Sequence, residues 1–280
     1  MEKRFMEKLL IKYRTFYEGK APTPIKLQMP GWSGEPNDHK DGDVPQPWHC
    51  VPFVEGSTYG LEMYWSFDTE YEVITENGVP KFIGDHKEEV EKCPEVTFPP
   101  FAQFAPGHFG ISSCMDVMVP EGYIVRIEPH PRYYTDETWT TPLAIPGHLN
   151  TAMWPKIFFL VFKNPAPGQK YIFRKNDPIA QMLILPRKVL YEIQEMTETE
   201  KASRNLLDNR ITKLCKHFVT NDWRDHRGNN FDDKYKVLNN LFIRKGKEGM
   251  TKLLDDVETS QQKNRYGNIK NKLIIKKKGK

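Results

Sequence analysis

The side chains best suited to chemistry in this sequence are three histidines, His108, His130 and His148, each beside a glycine or a proline. Neutral imidazole, completed by a carboxylate such as Glu121 or Glu128, suits an iron or zinc ion. These histidines form no His-x-His or His-x-x-x-His pair, so only the fold could bring them together. We expect either a divalent metal site of this kind or, as the commoner outcome, histidines satisfied by backbone hydrogen bonds.

Nucleophilic catalysis has weaker support. Ser112, Ser113 and Cys114 lie just after Gly110, but the run lacks the G-x-S-x-G pattern and begins a strand where that pattern begins a helix. Cys114 is therefore expected to be a packed thiol. The four cysteines form no C-x-x-C pair and are expected to be reduced. Glycine-rich phosphate loops are absent from the sequence.

The stretch 104–186 contains two phrases that each join a turn to a strand. Residues 119–129 read V-P-E-G-Y-I-V-R-I-E-P, and residues 173–184 read F-R-K-N-D-P-I-A-Q-M-L-I. These phrases resemble those of the dUTPase and dCTP deaminase superfamily, where P-x-G-Y enters one strand and G-D-x-I-A-Q-L enters another. The resemblance covers about the middle third of the chain. It implies a compact, largely antiparallel β-clip barrel that assembles as a homotrimer.

The same resemblance identifies the positions where catalytic groups would lie. In dUTPases a hairpin of the form G-x-I-D-x-x-Y-x-G supplies an aspartate that activates water and a tyrosine that supports the nucleoside. Residues 147–155 read G-H-L-N-T-A-M-W-P, which puts Asn150 and Met153 at those two positions. A side-chain amide cannot accept a proton near neutral pH, so this water activation would be lost. At the position of the deaminases' catalytic glutamate the chain has Val161.

The superfamily's phosphate motif, P-R-S, is present only in its first two residues, because Tyr133 follows Arg132. No glycine-rich Ser/Thr arm follows near the C-terminus. Arg132 could still hold a phosphate or carboxylate through its planar guanidinium, or it could form a surface ion pair. The expected ligand-binding residues are Arg132, His148, Asn150 and Trp154.

A second resemblance is to an uncharacterised family of phage and bacterial proteins. Its pattern is an H-F-G strand entry, a later T-D-W phrase and a last strand that ends in proline and basic residues. The H-F-G at 108–110, Trp154 and the P-R at 186–187 fit, whereas T-A-M at 151–153 replaces the acidic phrase. That family implies no activity. Together with the Lys- and Asn-rich composition, it indicates a phage or bacterial origin.

The elements that must position these residues are short strands. Runs rich in Val, Ile and aromatic residues occur at 61–67, 71–75, 79–83, 111–119, 123–128, 157–163, 170–173 and 179–185. The Asn-Gly pair at 77–78 predicts a hairpin turn. Because no long helical pattern separates these runs, the sequence predicts a mainly β, antiparallel domain over 48–190.

Helices are expected on both sides of this domain. Phe5, Leu9, Tyr13 and Phe16 recur at helical spacing and predict an amphipathic N-terminal helix, which a proline-rich extended arm follows to residue 47. After the last strand, apolar residues at helical spacing over 202–218, 235–243 and 250–257 predict a helical extension over 191–280. Its lysine-rich end, from residue 269, is expected to be disordered.

Charge is distributed unevenly along the chain. The formal net charge is +4, yet residues 201–280 hold 21 Lys and Arg against 9 Asp and Glu, a net +12, and residues 1–200 hold 20 against 28, a net −8. The basic third predicts weak nucleic-acid contact or, alternatively, a solvated helical tail. The longest apolar run, 157–162, is far shorter than the ~20 residues of a membrane helix. With no signal-peptide pattern, we expect a cytoplasmic protein, in the host cell if viral.

Three functions are compatible with the sequence. The first is a β-clip homotrimer that has lost the usual nucleotidohydrolase and deaminase carboxylates and binds a ligand or has a structural role. The second is a metal-dependent or otherwise unusual nucleotide-processing enzyme on the same scaffold. The third is a virion or assembly component, because related clip folds serve in capsid decoration. Standard dUTPase or dCTP deaminase activity is not expected.

Overall fold

The computed structural model describes residues 8–16, 19–26, 51–85, 87–92, 100–136, 138–220, 222–224 and 230–277. These residues divide into two compact units. One combines the residues up to 26 with Val54–Leu190, and the other consists mainly of the residues from Tyr191 onward. Most of the predicted proline-rich arm, together with Cys50 and Cys93, lies outside the described residues.

The first unit consists almost entirely of antiparallel strands. Its strands are β1 (Lys12–Thr15), β2 (Thr23–Pro24), β3 (Leu61–Tyr64), β4 (Tyr71–Glu76), β5 (Val79–Ile83), β6 (Phe101–Ala105), β7 (His108–Ser112), β8 (Met115–Met118), β9 (Tyr123–Pro129), β10 (Gly147–Leu149), β11 (Phe159–Lys163), β12 (Lys170–Phe173) and β13 (Pro178–Pro186). Two short helices, α1 (Val51–Ser57) and α2 (Lys87–Lys92), and a 3-10 turn at Pro131–Thr135 join them.

The central sheet has five strands in the order β10-β9-β13-β3-β2. Two three-stranded sheets, β11-β7-β6 and β12-β4-β5, and the pair β1-β8 surround the same core. Among the described strands no sheet closes on itself, so the predicted antiparallel β architecture is present without the predicted barrel. The edge strands β10 and β2 have three and two residues, which leaves too little backbone to close the central sheet.

Aromatic side chains from several sheets form the core of this unit. The ring of Phe173, fully buried, has its centroid 5.2 Å from that of Trp65, 5.6 Å from Phe101 and 5.7 Å from Phe162. Burial removes these rings from water, and edge-to-face pairs add about 0.5–1.5 kcal/mol each beyond the buried area. The strands that the sequence predicts from alternating apolar residues therefore meet at this cluster.

Backbone conformation determines where the strands end. Asn77 and Gly78 have φ values of 51° and 79° and connect β4 to β5, which confirms the predicted hairpin turn. The run 111–119 was predicted as one strand, but it is divided at Cys114, whose φ is 49°. A left-handed residue cannot continue a strand, so β7 and β8 are separate. The Cys114 thiol is buried and, within the described part of the chain, is not in a disulfide.

A strand replaces part of the predicted N-terminal helix. Lys12–Thr15 pairs with Met115–Met118 in antiparallel register, and the amide of Phe16 donates to the carbonyl of Cys114 at 2.8 Å. The backbone ladder to a strand about 100 residues away outweighs the helical spacing of apolar side chains in this segment. Residues 1–7 lie outside the described part of the chain.

The second unit contains α3 (Glu198–Leu214), α4 (Lys234–Lys277) and a short hairpin of β14 (Asp222–Arg224) and β15 (Asn230–Asp232). The chain before α3 forms a capping box, in which Thr197 and Glu200 bond to each other's backbone amides. Leu214, Phe218 and Leu254 form the small core between the helices. These helices confirm the helical character predicted for this part of the chain, whereas α4 extends to Lys277 through the lysine-rich end that was expected to be disordered.

No helix in the described part of the chain combines the length and apolar character that crossing a membrane requires.

Candidate functional site

A surface cleft of about 570 Å³ lies beside the pair β1-β8 in the first unit. Its walls come from four parts of the chain: the start of β1, the end of β8 with the turn before β9, the turn after β10, and the residue after β13. The lining residues are Leu10, Lys12, Met118, Val119, Pro120, Glu121, Gly122, Asn150, Ala152, Met153 and Arg187. Pockets for small molecules commonly have volumes of about 300–1,000 Å³.

Backbone pairing fixes these four segments. Lys12 lies opposite Met118 in the β1-β8 ladder, and the amide of Arg187 donates to the carbonyl of Gly122 at 2.7 Å. The turn after β10 is closed by the amide of Met153, which donates to the carbonyl of Asn150 at 3.3 Å. Main-chain hydrogen bonds therefore fix the positions of these segments.

The Arg14 side chain connects segments that lie next to the cleft lining. Its Nε donates to Oδ2 of Asp116 at 2.9 Å, and its Nη2 donates to the carbonyl of Pro155 at 3.0 Å. One guanidinium thus bonds to β8 and to the loop that follows the Asn150 turn. A guanidinium can do this because its donors form a rigid fork, which a lysine ammonium lacks.

The cleft combines cations with apolar surface. Lys12 and Arg187 are both exposed, and within the described part of the chain neither forms a salt bridge. Glu121, also exposed, is the one carboxylate among the lining residues. Leu10 and Met153 are each 67% exposed beside these charges. The lining therefore has a net positive charge, and its apolar side chains next to these charges are exposed to solvent.

Asn150 lies half-buried in the cleft wall, at the first position of the turn. Its amide offers two donors and one acceptor oxygen, but no group that takes up a proton near neutral pH. Val161 lies on β11 opposite Gly110 of β7 and is not part of the cleft lining. Of the residues predicted to bind a ligand, the structure brings Asn150 alone to the cleft.

Arg132 belongs to the 3-10 turn after β9, away from the cleft lining. Its Nη1 lies 3.1 Å from Oδ2 of Asp177, and both side chains are about one quarter exposed. An anion that bound to Arg132 would therefore compete with a carboxylate that is already present. The structure shows the ion pair that was one of the two expectations for Arg132.

His130 precedes that turn and caps it. Its Nδ1 accepts a hydrogen bond from the backbone amide of Arg132 at 3.2 Å, so the ring proton belongs on Nε2. Nε2 lies 3.4 Å from Oε2 of Glu62, a contact between two buried side chains without a well-aligned hydrogen bond. His130 therefore belongs to a buried structural pair, and its hydrogen bond with the backbone is the commoner of the two outcomes expected for these histidines.

The protonation states of this pair follow from its surroundings. Burial lowers the pKa of His130 below its ordinary 6.5, and the contact with Glu62 opposes this only in part. Burial raises the pKa of Glu62, but the contacts with His130, the Lys26 amide and Tyr64 outweigh it and leave that pKa lowered. The pair is thus a neutral imidazole beside a carboxylate at neutral pH.

The other predicted site residues lie elsewhere on the first unit. His148, on the edge strand β10, has its Nε2 3.3 Å from Nη1 of Arg126. His108, on β7, has its Nδ1 3.0 Å from the carbonyl of Pro106. Trp154 is 46% exposed and donates from Nε1 to the carbonyl of Ile157. The described residues include no group of three or more His, Cys, Asp or Glu that could hold a metal ion.

Sequence reasoning missed the two cations of the cleft. Lys12 was assigned to a helix, and in a helix its side chain would not align with residues 118–122. Arg187 was noted only as part of the P-R phrase that ends the last strand. The local sequence carries no signal for either role, because β1 and β8 are paired across about 100 residues.

No protein-family model and no curated protein matches the sequence. Solved structures of phage dUTPases do match it. The dUTPase of phage phi11 of S. aureus is 13% identical, with 68% of this chain and 99% of that chain covered and a TM-score of 0.33. The dUTPase of Staphylococcus bacteriophage 80alpha is 12% identical, with coverages of 68% and 99% and a TM-score of 0.34. The chain is similar in structure to phage dUTPases. Values this low transfer no activity from those enzymes.

Proposed function

We propose that this chain is a dUTPase-like protein that binds a small ligand in the cleft and lacks standard dUTPase and dCTP deaminase activity. The observation that carries the proposal is Asn150 in the cleft wall, at the position where the sequence resemblance expects a proton-accepting carboxylate. Hydrolysis at that position needs a group that deprotonates water, and an amide has no such capacity. The cleft itself, which is of ligand size and lined by charged and apolar groups, supports a binding role.

The contacts of Arg132 also support this proposal. In the sequence resemblance, Arg132 is the remnant of a phosphate motif, but its guanidinium lies 3.1 Å from Asp177. A triphosphate at Arg132 would compete with this carboxylate for the guanidinium. We therefore expect weak binding of nucleoside triphosphates at Arg132 and slow or absent turnover.

The test is incubation of the purified chain with dUTP and with dCTP, followed by measurement of released pyrophosphate and ammonia. We expect no release above the rate without protein. The matched variant is N150D, which places a carboxylate at the same position of the turn. A gain of pyrophosphate release in N150D alone would support the proposal, and robust release by the unaltered chain would contradict it.

An enzyme on the same scaffold is the second candidate function, and one observation favours it. Glu121 lines the same cleft as Asn150 and is a carboxylate that could accept a proton from water. If Glu121 were a general base, E121Q would abolish any hydrolysis that the chain shows. If the cleft only binds ligands, E121Q will leave the baseline rate unchanged.

We propose that the chain forms homo-oligomers, with a trimer as the expected state. Exposed apolar side chains of the first unit, such as Phe104 at 56% and Phe159 at 44%, support this, since apolar surface of this kind commonly lies in interfaces. Light scattering after size-exclusion chromatography tests it. A mass of 32.8 kDa at micromolar concentration would contradict it, because this is the mass of one chain.

For the basic C-terminal third we propose weak, sequence-independent contact with nucleic acid. Arg244, Lys245 and Lys247 flank the break at Gly246, and all three side chains are exposed and form no salt bridge within the described part of the chain. Phosphate contacts release bound cations, so affinity should fall as salt rises. Binding to duplex DNA that is independent of salt concentration would contradict the proposal.

A further inference from the structure

We propose that the cleft selects a small organic anion, namely a phosphate monoester or carboxylate with an apolar body, and that Lys12 and Arg187 hold its charged group. This rests on the proposed ligand-binding function. It goes further by naming the chemical class of the ligand and by assigning the charge contact to residues outside the motifs of the sequence resemblance.

The first support is the placement of the two cations. Lys12 comes from the strand β1 and Arg187 from the end of β13, so two separate segments contribute to one cleft. Backbone bonds fix both positions: the β1-β8 ladder holds Lys12, and the 2.7 Å bond to Gly122 holds Arg187. Both side chains remain in water, so a bound anion gains their attraction without the cost of burying two charges.

The second support is the apolar surface beside them. Leu10 and Met153 are 67% exposed and Met118 is 49% exposed, and together they line the cleft with the buried Val119. A ligand with an apolar body would remove part of this surface from water, at about 25 cal/mol per Å². Inorganic anions offer no such contact, so they should bind more weakly than organic anions of the same charge.

The third support concerns the number of charges. Two cations can balance a phosphate monoester, which carries nearly two negative charges at neutral pH. Glu121 lies in the same lining and repels further negative charge. A triphosphate would bring about twice the charge into this cleft, so the monoester is the better match. Asn150 can donate to or accept from a polar group of the ligand and thereby orient it.

Arg132 is the alternative position for an anion, and its geometry favours the cleft instead. Its guanidinium already contacts Asp177, whereas Lys12 and Arg187 form no salt bridge in the described part of the chain. An anion at the cleft displaces only water. An anion at Arg132 meets the negative charge of Asp177 beside the guanidinium.

The experiment measures binding of three probes to the full chain by titration calorimetry: phenyl phosphate, inorganic phosphate and phenol. We expect phenyl phosphate to bind most tightly, inorganic phosphate more weakly and phenol not detectably. K12A and R187A should each weaken the binding of phenyl phosphate by up to about fivefold, as expected for solvated charge contacts. E121Q should strengthen it, because a repulsive charge is removed.

The matched control is K163A. Lys163 is an exposed lysine on β11 that does not line the cleft, so its removal changes the net charge equally. Circular dichroism and thermal unfolding of each variant establish that it is folded. Equal loss of binding in K163A and K12A would overturn the proposal, as would phenyl phosphate binding that neither cleft variant changes.

The same measurements distinguish this inference from the proposed function. If phenol binds as tightly as phenyl phosphate and M153A weakens both, the cleft binds ligands but does not select anions. If dUTP is hydrolysed rapidly, the proposed function itself is wrong, whatever the probes show. If K12A changes the mass of the assembly and not the affinity, the cleft is an interface between copies of the chain and the inference falls.

Discussion

Nε2 of His130 lies 3.4 Å from Oε2 of Glu62, and both side chains are buried. Glu62 is on β3 and His130 follows β9, so the pair spans the intervening strand β13 of the central sheet. The other ring nitrogen, Nδ1, accepts the amide of Arg132 and caps the 3-10 turn. One imidazole therefore contacts both β3 and the 3-10 turn that follows β9.

This pair predicts a loss of stability in mild acid. The pKa of His130 is lowered by folding, so the unfolded chain takes up the proton first as the pH falls below 6.5. The stability is complete above pH 6.5 and decreases as the pH falls towards the lower pKa of the folded state. The pKa of Glu62 is also lowered, which adds a second decrease below pH 4.5. Urea unfolding midpoints from pH 7.5 to 3 will measure both decreases.

The control for the acid effect is H130N. An asparagine oxygen can still accept the Arg132 amide, so the cap is preserved while the titrating ring is removed. We expect H130N to be less stable than the unaltered chain at pH 7.5. Between pH 6.5 and 5, however, its stability should change less with pH. If the urea midpoint of H130N fell with pH as steeply as that of the unaltered chain, other groups would cause the acid effect.

The sequence predicted the strands better than it predicted the contacts between them. Alternating apolar residues and the Asn-Gly pair were sufficient for β4, β5 and their turn, because both signals are local. The partner of His130 is Glu62, 68 residues earlier in the chain, and no local pattern specifies such a pairing. For the same reason the sequence left His130 open between a metal ligand and a backbone-bonded histidine, and it missed Lys12 as part of the cleft.

Gly60 is predicted to be the least replaceable glycine of the first unit. Its φ is +90°, and a Cβ there would lie 2.5 Å from the carbonyl oxygen of Met182, which belongs to the central strand β13. Gly78 also has a positive φ, +79°, but its Cβ would meet nothing within 4 Å. G78A should therefore report the backbone strain alone. G60A should cost about 1–3 kcal/mol more, because the sheet must shift.

Chemical denaturation of the two alanine variants measures this difference. The comparison cancels the loss of glycine flexibility in the unfolded chain, which is common to both. Equal unfolding free energies for G60A and G78A would contradict the prediction. They would show that β13 can shift at Met182 without destabilising the fold.

The capping box of α3 gives a prediction for the second unit. Thr197 accepts the Glu200 amide through its side chain, and Glu200 accepts the Thr197 amide. T197A removes a capping oxygen and should lower the stability of this unit by about 1 kcal/mol. T197S keeps the oxygen and should be nearly neutral. Helical circular dichroism during thermal unfolding will separate the two, and a T197S loss equal to that of T197A would contradict the capping role.

We predict that Arg14 stabilises the conformation of the cleft that binds ligand. Its contribution to the free energy of unfolding of the chain should be small. Its side chain is 59% exposed, and exposed ion pairs contribute about 0–1 kcal/mol, so R14A should unfold at nearly the same denaturant concentration. Its bond to the carbonyl of Pro155, however, connects β1 to the loop after Asn150. Without it, the backbone amides of residues 151–158 should exchange with solvent deuterium faster, and phenyl phosphate should bind more weakly.

R14K can contact Asp116 or Pro155 but lacks the fork to hold both, so it should show an intermediate exchange rate. K81A, which breaks an exposed pair with Glu76 on the β4-β5 hairpin, is the control for the loss of a surface salt bridge. If R14A and K81A leave the exchange of the 151–158 amides equally unchanged, Arg14 is a surface ion pair and the shape of the cleft depends on backbone hydrogen bonds alone.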